Sequence, residues 1–131
     1  MENKITVSNT ELVSIINDSG ITTLIEPLVK EIFLFDTYIA GTSYIEEKEV
    51  FQSLKVNDHL ILRRDKENKF DEKAILVLNE KKIKLGFIPR KDNEIFSRLL
   101  DAGKLLTGTV KEINLKGDIY KIKININLID F

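Results

Sequence analysis

The sequence predicts one domain of mainly β structure with some helix (α+β), built as a six-stranded, mostly antiparallel barrel. Six short runs are rich in β-branched and aromatic residues, which favour strands. One amphipathic helical stretch separates the fourth run from the fifth. No repeat, low-complexity tract or linker interrupts the 131 residues, a length that suits one modest core. We therefore expect residues 1–131 to form a single domain.

Residues 1–30 are expected to form short helices that cover one end of the sheet. Ser8 and Glu11 have the spacing of a capping box, and apolar residues follow at helical intervals until Gly20. A second apolar group precedes the first strand and predicts another short helix. The apolar positions of the two groups are Leu12, Ile15, Ile16, Leu24, Ile25, Leu28 and Val29.

The strands and the main helix follow in order. The predicted strands are 31–40, 59–64, 73–78, 82–88, 104–114 and 118–129, with a helical turn within 46–53. In the fourth strand, Ile83, Leu85 and Phe87 are expected to share one face. In the last, Ile122, Ile124, Ile126 and Leu128 alternate with Lys121, Lys123, Asn125 and Asn127, which indicates a half-buried strand. This pattern resembles a modified oligonucleotide-binding (OB) barrel.

The main helix is predicted over 91–102. Asp92 or Asn93 is expected to cap it, and Gly103 stands where a helix commonly ends. Its buried face is predicted to contain Ile95, Phe96, Leu99 and Leu100.

Several classes of chemistry are disfavoured by composition. There is no cysteine, so disulfides and thiol catalysis are excluded, and the single histidine, His59, cannot form a two-histidine metal site. No glycine-rich phosphate loop or nucleophile elbow is present. We expect no cofactor, no metal and no enzymatic activity. The absence of a long apolar run or signal pattern favours a cytoplasmic protein that does not associate with membranes.

Charge is unevenly distributed, although the net charge is only −1. Residues 1–53 carry three basic and nine acidic groups, whereas residues 54–91 carry eleven basic and six acidic groups. Because salt screens charges beyond about 10 Å, a local basic region can attract phosphate in a chain of low net charge. An ordinary solvated face rich in lysine is the alternative explanation.

The polar segment 63–75 lies between two predicted strands, where binding loops are commonly held. Tyr44, Phe70 and Phe87 are candidate aromatic surfaces for stacking bases. Tyr44 fits a core position as well as an exposed stacking surface, and Phe70 is also expected to anchor the loop by packing. The carboxylate of Asp71 suits a sugar hydroxyl or a base amine, or serves with Asn68 as a loop clamp. The candidate phosphate contacts are Arg63, Arg64, Lys84, Arg90 and Lys91.

Three of these segments resemble the HIRAN domain family. They read GTSY at 41–44, RDKENKFDEKAI at 64–75 and LGFIPR at 85–90. The resemblance implies a modified OB-like barrel, with the family core at about 31–114. The N-terminal helical cover expected over 1–30 and the C-terminal strand expected at 118–129 lie on either side of this core. It also implies capture of single-stranded DNA 3′ ends, as in helicase-like fork-remodelling enzymes of eukaryotes, while bacteria also contain stand-alone members.

The resemblance assigns roles to individual residues. It implies that Tyr44 stacks on a terminal base, that Asp71 accepts from the 3′-hydroxyl, and that Phe87 forms a pocket wall. Arg90 and Lys91 would hold phosphate. End-binding members have an arginine at the position of Ser43 and a second aromatic residue at the position of Ile45. The complete candidate nucleic-acid-binding set is Ser43, Tyr44, Arg64, Phe70, Asp71, Phe87, Arg90 and Lys91.

The functional hypothesis is a non-catalytic module that binds nucleic acid, with single-stranded DNA and its 3′ ends as the leading ligand. It would serve DNA repair or replication alongside a separate helicase or nuclease. The alternative is a protein-interaction or adaptor module that has lost DNA-end binding. An exposed apolar patch in place of a basic groove would favour that alternative.

Overall fold

The computed structural model describes residues 30–130. The helices predicted within residues 1–30 fall on positions before Lys30 and therefore lie outside the described residues. The strands are β1 (Lys30–Tyr38), β2 (His59–Arg64), β3 (Ile75–Leu78), β4 (Lys84–Phe87), β5 (Leu105–Lys116) and β6 (Ile119–Asp130). A 3-10 turn spans Thr42–Tyr44, and the helices are α1 (Glu49–Gln52) and α2 (Asn93–Asp101). Six strands with a helix between the fourth and fifth confirm the predicted fold class.

One antiparallel sheet contains all six strands, in the order β1-β6-β5-β2-β3-β4. The sheet curves until the chain just after β1 meets β4 in an isolated bridge between Ala40 and Phe87. The Ala40 N–H donates to the Phe87 carbonyl at 2.7 Å, and the Phe87 N–H donates to the Ala40 carbonyl at 2.9 Å. This pair of bonds forms the seam of the barrel.

The core lies inside the curved sheet. The alternation predicted for the last strand places Ile122, Ile124 and Ile126 fully inside, because successive strand residues point to opposite faces. Asn127 was assigned to the solvent face, and that assignment is wrong. Asn127 is buried, and its amide donates to Thr109 Oγ1 at 3.3 Å, which satisfies one of its polar groups.

The predicted start of the fourth strand is also wrong. Residues before Lys84 form a turn in which Lys82 adopts a left-handed conformation with φ 65°. The Asn79 side chain stabilises this turn by accepting the N–H groups of Lys81 and Ile83, each at 2.9 Å. Ile83 is consequently exposed and does not share a buried face with Leu85.

Helix α2 differs from the prediction at its cap and on one face. Asp92 is the N-cap residue, but its side chain makes no cap bond and instead accepts from Thr37 Oγ1 at 2.7 Å. Ile95 was predicted to be buried, yet 62% of it is exposed. Phe96 is buried as expected. The apolar side of α2 is therefore only partly covered by the described residues.

Candidate functional site

A cavity of about 320 Å³ opens beside the seam of the barrel. The 3-10 turn, the polar loop between β2 and β3, and the end of β4 form its walls. It brings together five of the predicted site residues, which are Tyr44, Phe70, Asp71, Phe87 and Arg90. Segments more than 40 positions apart in the sequence therefore converge on one concave surface.

Two glycines shape the wall next to the seam. Gly86 approaches the opposite strand so closely that a Cβ atom there would lie 2.3 Å from the Ala40 carbonyl oxygen. Gly41 has a φ of 78°, a left-handed conformation that glycine adopts without steric cost, and it starts the 3-10 turn that carries Tyr44. The glycines in both motifs thus allow the seam to close beneath the cavity.

The polar loop is held by its own side chains, with Asn68 at the centre. Asn68 Oδ1 accepts the backbone N–H groups of Phe70 and Asp71, both at 2.9 Å, and its amide donates to Asp65 Oδ2 at 3.2 Å. Such bonds fix a turn without regular secondary structure. The predicted clamp role of Asn68 is confirmed, and the loop presents Phe70 and Asp71 in a defined orientation.

Arg64 holds the two ends of the same loop together. Its guanidinium donates to the carbonyls of Ala74 at 2.7 Å and Glu72 at 2.8 Å, and its Nε lies 3.0 Å from an Asp101 carboxylate oxygen. Only 13% of the Arg64 side chain is exposed, and it does not line the cavity. The structure thus shows a bracing role for a residue that the sequence suggested as a phosphate contact.

Asp71 is fixed from two sides. Its Oδ1 accepts the Lys73 N–H at 3.0 Å, and its Oδ2 accepts the buried Asn93 amide at 2.8 Å. Arg90 Nε lies 3.6 Å from the same Oδ2. Each carboxylate oxygen can accept about two hydrogen bonds, so capacity remains for a donor on a ligand.

These contacts keep the Asp71 carboxyl ionised. Burial raises the pKa, but the Lys73 N–H, the Asn93 amide and the charges of Arg90 and Lys73 outweigh it. The pKa of Asp71 therefore lies below its ordinary value of 3.8. At neutral pH the cavity contains a carboxylate that accepts hydrogen bonds and donates none.

Two aromatic rings stand at the cavity with most of their surface in solvent. Tyr44 and Phe70 are each 87% exposed, which is unusual for rings of this size. The suggestion that Phe70 is a packing anchor is wrong, because its side chain is bound to nothing in the core. Phe87 is half-buried, and Lys84 Nζ lies 4.4 Å from its ring centroid, a cation–π distance.

Positive charge at the cavity comes from Lys84 and Arg90, against the one carboxylate of Asp71. Arg90 donates to the Phe70 carbonyl at 2.7 Å, yet 70% of its side chain is exposed. It can therefore brace the loop through one nitrogen and offer others to an anion.

Two further sequence candidates lie elsewhere. Ser43 is exposed on the 3-10 turn but does not line the cavity. Lys91 lines a different groove, beside α2. The apolar wall residues Ala40, Ile45, Ala74 and Ile88 were not singled out as site residues. The one sequence feature that could have identified them as site residues is their position next to the glycine and aromatic residues of the motifs.

Residues 30–130 contain no group of three or more His, Cys, Asp or Glu side chains placed to hold a metal ion. Within the same part, no helix is long and apolar enough to cross a membrane.

The fold and the cavity define a small antiparallel barrel protein with an aromatic-lined cavity at its seam. The HIRAN domain model matches residues 32–129, so the chain belongs to the HIRAN domain family. The matched range begins within β1 and includes both long strands, β5 and β6. The sequence assignment is confirmed.

Solved structures show the same fold. A crystal structure of a protein from Lactobacillus plantarum superposes with a TM-score of 0.73 at 23% identity, covering 79% of this chain and 99% of that one. The crystal structure of the HIRAN domain of human HLTF gives a TM-score of 0.60 at 16% identity, covering 76% of this chain and 78% of that one. A comparison with curated protein sequences finds no match.

Proposed function

We propose that this protein is a non-catalytic module that binds single-stranded DNA, with a terminal nucleotide in the cavity at the barrel seam. The observation that carries the proposal is the pairing of two highly exposed rings, Tyr44 and Phe70, with the fixed groups Asp71 and Arg90 around one cavity. Its volume of about 320 Å³ falls at the small end of ligand pockets. Membership of the HIRAN family supports DNA as the ligand.

The aromatic rings suit unpaired bases. A base in a duplex is already stacked on its neighbours, whereas a free end exposes a face that a side chain can cover. Tyr44 and Phe70 come from separate segments, the 3-10 turn and the polar loop, so a base can contact either or both. Stacking does not depend on base identity, and we expect little sequence preference.

The polar groups suit the sugar and phosphate. Lys84 and Arg90 supply the cations, while Asp71 is an ionised acceptor suited to a hydroxyl donor. A phosphate next to Asp71 would be repelled. This arrangement favours a 3′-hydroxyl end over a 3′-phosphate end. The module would then act in DNA repair or replication with a separate helicase or nuclease.

Replacing Tyr44 with alanine tests the stacking role. Loss of one stacking contact costs about 1–3 kcal/mol, so Tyr44→Ala should weaken binding by about 5- to 150-fold. Fluorescence anisotropy with a labelled ten-nucleotide strand at low salt measures this. Tyr38→Ala is the matched control, because Tyr38 is an exposed tyrosine that does not line the cavity. If the unaltered protein binds no oligonucleotide, the proposed function is wrong.

The 3′ end is best tested by changing the DNA, since substituting Asp71 would also disturb the loop it anchors. Strands that end in a 3′-hydroxyl should bind at least about tenfold more tightly than strands that end in a 3′-phosphate, because one charge-assisted hydrogen bond is lost. A 5′-phosphate should have no comparable effect. Equal affinities for both 3′ ends would show that Asp71 does not recognise the 3′ end. The protein would then bind single strands without regard to their ends.

A further inference from the structure

A second concave surface lies on another side of the molecule, between β1 and α2. Its volume is about 750 Å³, and its lining combines five apolar side chains with four charged ones, Lys91, Asp92, Glu94 and Arg98. Among the described residues, none lines both this surface and the cavity at the seam. We call it the β1–α2 groove.

A β-bulge shapes one wall of this groove. The pairing of β1 with β6 slips between Phe33 and Phe35, which leaves Leu34 without a partner in the ladder. As a result, the consecutive residues Leu34 and Phe35 both line the groove, although strand neighbours normally point to opposite faces. The Phe35 ring packs 5.8 Å from the Phe96 ring and is still 40% exposed.

The opposite wall is the apolar side of α2. Phe96 points into the core, but Ile95 is 62% exposed and Leu99 is only partly buried. No described residue covers Ile95. Exposing a contiguous apolar surface of this kind in water is unfavourable, and such surfaces commonly mark a docking site.

The position of the remaining chain points to one occupant. Residue 29 is joined directly to Lys30, the first residue of β1, and Leu34 follows only four positions later. The preceding segment includes two apolar groups with helical spacing, within 8–17 and 22–29. The family match begins at residue 32 and leaves this segment outside the shared fold.

The charges of the groove neither favour nor oppose this occupant. Residues 1–29 carry four acidic groups and one basic group. The groove lining contains the cations Lys91 and Arg98, both exposed, together with the carboxylates Asp92 and Glu94, so its formal charges balance. Arg98 pairs with Glu94 at 3.1 Å across one helical turn, a surface ion pair that contributes little and leaves the guanidinium available.

We propose that residues 8–29 dock in the β1–α2 groove and cover it within the same molecule. Apolar side chains of the segment pack against Leu34, Phe35 and Ile95. Because the Asn93 amide at the start of α2 donates to Asp71, the helix that receives the segment is also the one that positions the seam carboxylate.

Disulfide trapping tests this in the full chain, which has no cysteine of its own. Two double variants are made, Ile95→Cys with Ile16→Cys and Ile95→Cys with Ile25→Cys. A third pairs Glu80→Cys with Ile16→Cys as a control, because Glu80 is exposed in the β3–β4 turn and does not line the groove. Each is oxidised at micromolar concentration after circular dichroism has established that it folds.

At least one Ile95 pair should form an intramolecular disulfide about tenfold faster than the Glu80 control, as seen by mass spectrometry and non-reducing gels. The pair that closes identifies which half of the segment lies on α2. Rates equal to the control in both pairs would overturn the proposal. Crosslinks between molecules only, with a dimer in light scattering, would also overturn it and assign the groove to a second copy. Neither result bears on DNA binding at the seam.

Discussion

At the residue scale, Asp71 combines two duties that are often separated. Its two oxygens brace the polar loop and α2 by accepting from Lys73 and Asn93, and the carboxylate, which lines the cavity, can accept further hydrogen bonds. A group fixed in this way keeps its orientation before a ligand arrives, which lowers the entropy that binding must overcome. The same fixation makes the carboxyl a useful spectroscopic reporter of the site.

The pKa of Asp71 should respond to the loss of its amide donor. A carboxyl carbon NMR titration should place it below 3.8 in the unaltered protein, and Asn93→Ala should move it upward because one donor to the ionised form is removed. Ser97→Ala is the control, since Ser97 is also a buried polar residue of α2 but bonds to the Glu94 carbonyl. If the pKa of Asp71 is unchanged in Asn93→Ala, the Asn93 amide does not lower that pKa.

The sign of the pH effect follows. The folded-state pKa of Asp71 is lower than its unfolded value, so its stabilising contribution is present above about pH 4 and disappears as the pH falls through the folded-state pKa. The free energy of unfolding of the native protein should therefore fall more steeply between pH 4 and pH 2 than that of Asn93→Ala. Urea titrations at several pH values measure this difference.

At the scale of elements, the polar loop behaves as a rigid part of the barrel even though it has no regular secondary structure. Arg64, at the end of β2, donates to two carbonyls near the far end of the loop and to a carboxylate on α2. One side chain thereby ties a strand, a loop and a helix together. The sequence places Arg63 and Arg64 side by side and does not indicate that only one has this role.

Exchanging each arginine for lysine separates the two roles. Arg64→Lys removes the planar set of donors and should lower the free energy of unfolding by about 1–3 kcal/mol. Arg63→Lys should change it by less than about 0.5 kcal/mol, because Arg63 is exposed. Denaturant unfolding measures both. Equal effects of the two substitutions would show that the Arg64 contacts do not brace the loop.

The elements that the sequence predicted well are those determined by local pattern. Strand β2 has the predicted bounds, and Ile122, Ile124 and Ile126 of β6 are inside, because alternation alone specifies their side. Predictions failed where tertiary contacts override pattern. Ile95 has helical spacing with Leu99 but faces a groove, and the β3–β4 turn takes Ile83 away from the core.

The site shows the same division. The motif residues Tyr44, Asp71 and Phe87 were named in advance and converge on one cavity. The apolar wall was missed, since alanine and isoleucine carry no chemical signal in a sequence. The exposure of Phe70 could not be predicted either, because a lone aromatic residue in a polar loop fits burial and display equally well.

At the scale of the whole molecule, the net charge of −1 hides a local surplus of cations at the cavity. Only two cationic residues line it, so the electrostatic part of DNA binding should be modest. For single strands the logarithm of the association constant falls with the logarithm of salt by about 0.7 for each phosphate contacted. Two contacts give a slope of about −1.4.

Lys84→Gln should make that slope shallower by about 0.7, since it removes one cation without touching the loop contacts. Lys116→Gln, a change to an exposed lysine at the end of β5, should leave the slope unaltered. Anisotropy titrations from 20 to about 200 mM salt measure both. Identical slopes for the two variants would show that Lys84 does not contact a phosphate of the bound DNA.

The bridge between Ala40 and Phe87 also determines how the barrel can move. Its two backbone hydrogen bonds join segments that carry Tyr44 on one side and Phe87 on the other, whereas neighbouring strands share longer ladders. This closure should therefore open more often than any ladder, on its own and without global unfolding. A nucleotide that contacts both segments would stabilise the closed bridge. The amide protons of Ala40 and Phe87 should therefore exchange with solvent more slowly when DNA is bound.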